Sequence, residues 1–210
     1  MQYTIDKNYI DDDGTWENCH ENDLWIFDKL LVAKKLGYIC GPHGVKVPQK
    51  NTYIVRPCVN LMSMGRGAEF KELEGYTNDK MPDGFFWCEV FKGRHLSVDY
   101  EDGKQILCVE GFRNENDPIW KWNKWVRTVD NIEFPEILQN LYGKYRYSNV
   151  ELIDGNIIEV HLRLNSNWIE MDYQNTSEMI PVFNDNKLVD VSGYSYKESP
   201  CFLRKGFYFK

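Results

Sequence analysis

The stretch NVELIDGNIIEVHLR, residues 149–163, constrains the fold of this chain more than any other. Apolar and polar residues alternate on both sides of Asp154-Gly155-Asn156, which is the period of a half-buried strand interrupted by turn-forming residues. The pattern therefore predicts a β-hairpin of two short strands. Such a hairpin can carry a row of carboxylate, imidazole and guanidinium groups on one face.

The length of the hairpin loop decides which side chains share a face. A three-residue loop, Asp154 to Asn156, places Glu151 directly opposite Glu159. We favour this register because Asn156 tolerates the left-handed conformation that such a loop needs. Asp-Gly is also a strong two-residue turn signal, and that register would pair Glu151 with Ile158 and send the two glutamates to opposite faces.

The favoured register has a chemical consequence. Two directly opposed carboxylates repel each other unless a positive charge lies between them, and a divalent metal ion is the simplest candidate. The same register places Asn149 opposite His161 and brings Arg163 to the face of the glutamates. The hairpin face would then combine metal ligands with a fixed cation.

The bulk properties narrow the function classes. With 210 residues, the chain is long enough for one generous domain or two small ones that share an interface. The net charge of −7 argues against a general nucleic-acid surface, so we expect no nucleic-acid partner. Six cysteines without a C-x-x-C pair, no secretory h-region and no apolar run near 18 residues predict a cytoplasmic protein with free thiols and no membrane span.

The other segments predict an α+β chain. A helical pattern over residues 24–36 stops at Gly37, and a second helical pattern covers residues 118–145. Strands are expected at residues 53–56, in two runs within residues 84–100, and at residues 105–111. The acidic run at residues 11–13 is typical of a solvated turn, and residues 166–210 predict a final strand or two that cover the core.

Taken together, these segments resemble the ATP-grasp superfamily over about residues 24–165. In many ATP-grasp ligases the last pair of strands carries an acidic residue or Gln, then an E-x-N element followed shortly by Arg. Here NVE places Glu151 in the first metal-ligand position. EVHLR places Glu159 in the second, with His161 in the Asn position and Arg163 in the Arg position.

Four other pieces occur in the order expected for that superfamily. FDKLLVAKKLG is similar to the D-K element whose Lys contacts phosphates, and YIVRP is similar to the V-V-K-P strand with Arg in place of Lys. NLMSMGRG occupies the glycine-rich phosphate loop, and WCEVFKGRHLSVD is similar to the strand that holds adenine. The nucleotide contacts that the resemblance implies are Lys29, Arg56, Ser63, Met64, Gly65, Glu89, Val90, Phe91 and His95.

The resemblance also implies a fold and a division of the chain. We expect two small α+β lobes whose antiparallel sheets grip a nucleotide. Residues 1–23 would be a polar N-terminal extension, residues 24–83 the N-terminal lobe and residues 84–165 the C-terminal lobe with the metal hairpin. Residues 166–210 would be a covering segment of the same domain, and the separate N-terminal domain that often builds the acceptor pocket would be missing.

The implied activity is the ATP- and Mg²⁺-dependent joining of a carboxylate to an amine through an acyl phosphate. The metal ligands would be Glu151, Glu159 and His161. The imidazole would suit Mn²⁺ or Zn²⁺ better than Mg²⁺, and the alternative is that His161 does not bind the ion directly. Lys29 and Arg56 would neutralise phosphate charge, and Arg163 would stabilise the transferring group.

Two alternatives stay open. One is an ATP-grasp kinase that phosphorylates a small molecule directly, and the other is a nucleotide-binding protein that has lost catalysis. The partners are a nucleotide and an acceptor, small molecule or peptide, whose identity the sequence does not specify. The sequence does not specify the oligomeric state either.

Overall fold

The structure is a computed structural model, and it describes Tyr3 and residues 11–60, 65–184, 191–201 and 203–210. Within these residues the chain forms two antiparallel sheets with a few short helices. The predicted α+β class with antiparallel sheets is therefore confirmed. No helix in the described ranges is both long enough and apolar enough to cross a membrane.

The first sheet has four strands, and its core lies on one face. The spatial order is β1-β4-β2-β3, and the strands are β1 (Cys40–Pro42), β2 (Asn51–Pro57), β3 (Glu69–Leu73) and β4 (Phe85–Cys88). In β2, Tyr53 and Val55 alternate with exposed or half-buried residues and pack against Leu73 and Trp87. This is the period of two that the sequence predicts for a half-buried strand.

The second sheet has eight strands in the order β11-β12-β10-β7-β6-β5-β8-β9. The strands are β5 (His95–Glu101), β6 (Lys104–Phe112), β7 (Lys124–Arg127), β8 (Tyr147–Ile153), β9 (Asn156–His161), β10 (Glu178–Phe183), β11 (Ser195–Cys201) and β12 (Arg204–Phe209). One core cluster includes Val98, Val150 and Val160, and a second lies towards β10 and β12 around Trp168 and Phe207.

The predicted helix over residues 24–36 consists of two elements. A 3₁₀ helix, Glu21–Phe27, ends before α2 (Lys29–Lys35), and Asp28 lies between them. Its carboxylate accepts hydrogen bonds from the backbone N–H groups of Leu30 and Leu31, which is the N-cap arrangement of a new helix. Gly37 ends α2 with a φ of 77°, as the sequence predicts.

Helix α2 joins the two sheets through its buried face. Val32 packs into the core of the eight-stranded sheet, and the neighbouring Ala33 packs against Phe86 and Cys88 of the four-stranded sheet. The backbone N–H of Lys29 also donates to the carbonyl of Cys58, just after β2, with an N–O distance of 2.7 Å. The first turn of α2 is therefore fixed between the sheets.

The helical prediction for residues 118–145 is wrong. These residues form β7 and a 3₁₀ helix, Glu136–Leu141. Pro135 would remove a backbone hydrogen bond from the predicted helix and clash with its preceding turn. Trp125 is buried in the sheet, where its ring and that of Trp122 contact the imidazole of His95, so these aromatics pack internally.

The break between the sheets falls after the boundary expected from the sequence. Strand β4 pairs with β1 and β2, so the four-stranded sheet extends to Cys88, and the eight-stranded sheet begins at His95. We propose residues 89–94 as the lobe boundary in place of 83/84. Residues 166–210 add α3 (Ser166–Ile169) and three strands to the second sheet, rather than a strand or two.

Candidate functional site

The hairpin of β8 and β9 has the predicted pairing but a different loop. Glu151 pairs with Glu159 and Asn149 with His161, as the sequence predicts. The loop has two residues, Asp154 and Gly155, with φ of 48° and 83°. The predicted three-residue loop is therefore wrong, and the Asp-Gly turn signal is correct.

A β-bulge reconciles the short turn with the opposed glutamates. Leu152 pairs with Ile157, whereas Glu151 pairs with Glu159, so Ile158 has no partner of its own in the ladder. One extra residue shifts the register by one and returns Glu159 to the face of Glu151. A two-residue loop would separate the two glutamates only if the ladder were regular, and the bulge makes it irregular.

The bulge also connects the two sheets. The carbonyl of Ile158 accepts a hydrogen bond from Nη2 of Arg56 on β2, with an N–O distance of 2.9 Å. The Arg56 guanidinium lies 5.1 Å from the ring centroid of Phe86, and its buried Nε–H has no hydrogen-bond partner among the described residues. Burial lowers the pKa of Arg56 below its ordinary value, although the charge of Glu159 opposes this shift.

A single cavity of about 450 Å³ collects the predicted residues. The four-stranded sheet, the first turn of α2 and the eight-stranded sheet all contribute to its wall. Ser63 and Met64 lie outside the described residues. The other predicted nucleotide, metal and catalytic residues all line the cavity: Lys29, Arg56, Gly65, Glu89, Val90, Phe91, His95, Glu151, Glu159, His161 and Arg163.

Each glutamate of the hairpin has a basic partner. Nε2 of His95 lies 3.2 Å from Oε2 of Glu151, and Nζ of Lys29 lies 3.1 Å from Oε2 of Glu159. Nε2 of His161 lies 3.3 Å from Oε1 of Glu159. Burial would raise the pKa of Glu151, but the hydrogen bond and charge of His95 outweigh it, so the pKa lies below its usual value.

Asp12, which the sequence analysis assigned to a solvated turn, is part of the site. It begins α1 (Asp12–Asn18), whose N-cap is Asp11. Oδ1 of Asp12 lies 2.9 Å from Nδ1 of His161 and accepts from Nε of Arg163 at 2.8 Å. The N-terminal segment therefore supplies the carboxylate that orients both side chains, and the prediction of a solvated turn is wrong for this residue.

The environment of Asp12 favours its charged form. Burial alone would raise the pKa of this carboxyl, but His161 and Arg163 outweigh burial and hold the pKa well below its usual range. Asn60 adds a further contact, because its Nδ2 donates to Oδ2 of Asp12 at 2.7 Å. Oδ1 of the same amide accepts from Nζ of Lys29 at 2.7 Å. The short polar residues Asp12 and Asn60 carry no sequence pattern that distinguishes them from turn residues.

A buried polar group lies beside the hairpin, on the neighbouring strand of the same sheet. Asp99 on β5 is fully buried, and its carboxylate accepts from Asn149 at 2.7 Å, from the backbone N–H of Asn165 at 2.9 Å and from the Tyr173 hydroxyl at 2.8 Å. Burial raises the pKa of Asp99 to about 6 despite these hydrogen bonds. The sheet face below the cavity is therefore polar and rigidly connected.

The segment between the sheets is fixed at one end. The backbone N–H of Glu89 donates to the carbonyl of Ile39. The Glu89 carboxylate in turn accepts from the backbone N–H of Ile39 at 2.8 Å. Val90 and Phe91 follow and line the cavity. The N–H and the side chain of Glu89 are therefore both used within the protein.

The carboxylates suit a magnesium ion that is shared with a phosphate ligand. No three His, Cys, Asp or Glu side chains form a metal-binding group in the part of the chain that the structure describes. Mg²⁺ is usually held by one or two carboxylates together with phosphate oxygens and water, rather than by a cage of protein ligands alone. The opposed Glu151 and Glu159 meet that requirement.

Comparison with solved structures decides the fold. An L-amino acid ligase from Bacillus licheniformis matches with a TM-score of 0.50 and 10% sequence identity over 88% of this chain. A carboxyaminoimidazole ribonucleotide synthase from Aspergillus clavatus, solved with ATP, matches with a TM-score of 0.52 and 12% identity over 88% of this chain. The chain has the ATP-grasp fold. The resemblance that the sequence motifs suggest is thus confirmed at the level of the fold.

The ATP-grasp match covers part of each known structure. The chain spans 66% of the ligase and 68% of the synthase. It spans 64% of a protein from Archaeoglobus fulgidus assigned to the ATP-grasp superfamily, with a TM-score of 0.49, 16% identity and 88% of this chain covered. No protein-family model and no curated protein matches the sequence.

Proposed function

We propose that this protein is an ATP- and Mg²⁺-dependent ligase that joins a carboxylate to an amine through an acyl phosphate. The observation that carries the proposal is the single cavity, which collects every described residue of the predicted site. Within it the two glutamates face each other on adjacent strands, and cations from α2 and β2 reach the same wall. Phosphoryl transfer requires mainly such positioning and charge neutralisation.

The fold supports the same conclusion. One matching structure is an amino acid ligase, and another is a synthase solved with ATP. The resemblance to ATP-grasp proteins implies a nucleotide held between two lobes, and the cavity here lies between two sheets. The lobe division proposed above, with residues 89–94 as the connection, follows from this arrangement.

In the proposed reaction, some residues of the site neutralise charge and others position those residues. In the proposed reaction a substrate carboxylate oxygen attacks the γ-phosphorus of ATP, and ADP leaves with the electrons of the broken P–O bond. An amine then attacks the acyl carbon, inorganic phosphate leaves, and the amine loses a proton. Lys29 and Arg56 neutralise the phosphates, and Arg163, which Asp12 holds in place, stabilises charge on the transferring group.

A Mg²⁺ ion held by Glu151 and Glu159 would neutralise the β- and γ-phosphates. His161 is better placed to position these groups than to bind metal, because Nδ1 faces Asp12 and Nε2 faces Glu159. This geometry supports oxygen ligands and therefore Mg²⁺ over Mn²⁺. We accordingly assign His161 as a positioning residue.

Removal of one metal-binding carboxylate tests the proposal. Glu159→Gln should lower ATP turnover, measured as ADP release with a panel of acids and amines, by roughly 100-fold or more. Glu72→Gln is the matched control, because Glu72 is an exposed glutamate that also pairs with a lysine. Equal turnover and equal Mg·ATP affinity in both variants would contradict the metal assignment.

The products separate the ligase from its alternatives. Amide formation with stoichiometric ADP and phosphate supports a ligase, whereas a stable phosphorylated acceptor without amide supports a kinase. ATP binding without ADP release across the acceptor panel would favour a binding protein that has lost catalysis. Mass spectrometry of the acceptor distinguishes the first two outcomes.

A further inference from the structure

The cavity has a second polar end, formed by α3, β11 and β12. Its central residue is Arg204 on β12, which is 7% exposed and lines the cavity together with Ser199 and Asn167. None of these residues belongs to the nucleotide and metal face described above. We call this end the Arg204 pocket.

The hydrogen bonds of Arg204 all go to neutral groups. Nε donates to the carbonyl of Ser199 at 3.1 Å, Nη1 to Oδ1 of Asn167 at 3.0 Å, and Nη2 to Oγ of Ser199 at 3.1 Å. No carboxylate lies within ion-pair distance of this guanidinium in the described ranges, although Glu170 also lines the cavity. Arg204 therefore differs from Lys29 and Arg163, which each have an acidic partner.

The unused donors of Arg204 match a carboxylate. A guanidinium carries five N–H donors, one on Nε and two on each Nη. Three of them are used, so one N–H remains on Nη1 and one on Nη2. One N–H donor on each of two neighbouring nitrogens can bind both oxygens of a carboxylate when the two N–H bonds point the same way.

The pocket holds its arginine rigidly. Glu198 pairs with Gly206 and Cys201 with Arg204, so the β11–β12 ladder is irregular at Ser199 and Pro200. This irregularity lets the Ser199 carbonyl accept from Nε of Arg204. The guanidinium also lies 4.1 Å from the ring centroid of Phe207.

Enclosing this charge with neutral partners is costly. Burial lowers the pKa of Arg204 below its ordinary value, with smaller opposing contributions from Cys201 and Glu170. A buried charge normally has a counter-ion as well as hydrogen bonds, because neutral groups do not replace its hydration fully. An anionic group that enters the cavity would supply that counter-ion.

Part of this wall is apolar. Trp120, Pro181 and Phe183 line the cavity, and the Trp120 and Phe183 rings meet edge to face with centroids 5.8 Å apart. Ligand pockets commonly combine such apolar walls with a few polar groups that fix orientation. The pocket therefore suits a ligand that has an apolar body and one carboxylate.

We propose that the Arg204 pocket binds the acceptor of the reaction, a small carboxylic acid with an apolar side chain or ring. This inference rests on the proposed ligase function, which requires a carboxylate substrate beside the nucleotide. Arg163 and the α3 residue Asn167 line the same cavity and lie four residues apart in the sequence. Arg204 fixes the carboxylate, and Trp120 and Phe183 contact the apolar part.

Binding of 3-phenylpropanoate to the full chain, measured by calorimetry or tryptophan fluorescence without nucleotide, tests the inference. We expect the acid to bind and the neutral 3-phenylpropanamide to bind roughly 10- to 100-fold more weakly. Arg204→Gln should weaken binding of the acid by a similar factor. Arg146→Gln is the matched control, because Arg146 pairs with Glu101 away from the cavity and should leave the affinity unchanged.

A second variant keeps the test decisive if Arg204→Gln does not fold. Asn167→Asp places a carboxylate against Nη1 of Arg204, so it should raise the melting temperature and weaken binding of 3-phenylpropanoate at least tenfold. A higher melting temperature with unchanged acid binding would overturn the inference. So would equal affinities for the acid and the amide, or the absence of acid binding to the native protein.

The affinity of the native protein for Mg·ATP, measured in the same way, tests the proposed function separately. Nucleotide binding without acid binding would leave the proposed function standing and remove the acceptor assignment. Acid binding without nucleotide binding would support the Arg204 pocket as a carboxylate site and would contradict the proposed function.

Discussion

The β8–β9 and β11–β12 hairpins each hold an arginine through a backbone carbonyl, but the charged groups around them differ. In each, an irregularity in the ladder gives a backbone carbonyl to an arginine that lines the cavity. Ile158 accepts from Arg56, and Ser199 accepts from Arg204. Irregular pairing in a sheet thus positions a guanidinium at both ends of the cavity.

The charges around the two hairpins are arranged in opposite ways. On the first, Glu159 has Lys29 as its partner, and Arg163 has Asp12. On the second, Arg204 has only hydroxyl, carbonyl and amide partners among the described residues. Arg56 is the exception on the first hairpin, because its described hydrogen bond goes to a carbonyl rather than to a carboxylate. Under the proposals above, the first face would take a ligand that carries both metal and phosphate, and the second would take a carboxylate.

The largest expected effect on stability comes from removing the carboxylate partner of Arg163, so that this arginine, like Arg204, has no acidic partner. Asp12→Ala leaves His161 and Arg163 without their carboxylate, and the free energy of unfolding should fall by about 3 kcal/mol. Asp13→Ala is the control, since Asp13 is the exposed neighbour on α1 and should change stability by less than about 0.5 kcal/mol. Urea unfolding of both variants measures the difference, and similar losses would show that Asp12 does not hold the hairpin.

Asp99 is the anionic counterpart of Arg204, because its hydrogen bonds also go to neutral groups. Its pKa is about 6 in the folded protein against an ordinary value of 3.8, so between these pH values the folded state binds the additional proton. The stability that this proton contributes is present below pH 4 and is lost as the pH rises through 6. From pH 4 to 7.5 the native protein should therefore lose about 2 to 3 kcal/mol relative to Asp99→Asn.

Urea unfolding of native and Asp99→Asn proteins at several pH values measures this change. The difference in unfolding free energy should vary most between pH 4 and pH 6. If the difference in unfolding free energy is constant from pH 4 to 7.5, Asp99 is charged throughout this range. Its neutral hydrogen-bond partners would then stabilise the buried carboxylate fully.

The smallest expected effects on stability come from replacing one backbone glycine in each hairpin by alanine. A Cβ at Gly206 would overlap the carbonyl oxygen of Lys197 on β11, so Gly206→Ala should cost about 2 kcal/mol. A Cβ at Gly155 meets open space, and only its φ of 83° is unfavourable, so Gly155→Ala should cost about 1 kcal/mol. Thermal unfolding ranks the two variants, and the reverse order would mean that turn strain exceeds the cost of the steric overlap.

Local patterns predicted much of the site. Alternation around Asp154-Gly155 identified the hairpin, and the pairing of Glu151 with Glu159 is correct. The predicted three-residue loop is wrong because a bulge leaves no mark in a period-two pattern, and without a bulge a two-residue turn and a shared face are incompatible. The resemblance to ATP-grasp proteins identified residues from both sheets that do line one cavity.

Long-range contacts were beyond prediction. Asp12 lies 149 residues before His161, and nothing in an acidic run indicates which carboxylate will be enclosed. The helical pattern predicted for residues 118–145 includes the aromatic residues near Trp122. Bulky side chains suit helices and strands alike, and tertiary packing places Trp125 in a strand. The sequence around Arg204 does not indicate its neutral surroundings either, because they come from three separate elements, β12, β11 and α3.

The two contacts that cross from α2 and β2 to β9 end on adjacent residues. Lys29 binds Glu159, and Arg56 binds the carbonyl of Ile158. Under the proposed function, a phosphate that draws either cation away from β9 would weaken a contact between the two sheets, so nucleotide binding would be coupled to the spacing of the sheets. An association rate that levels off at high nucleotide concentration would show that breaking these contacts is the slow step.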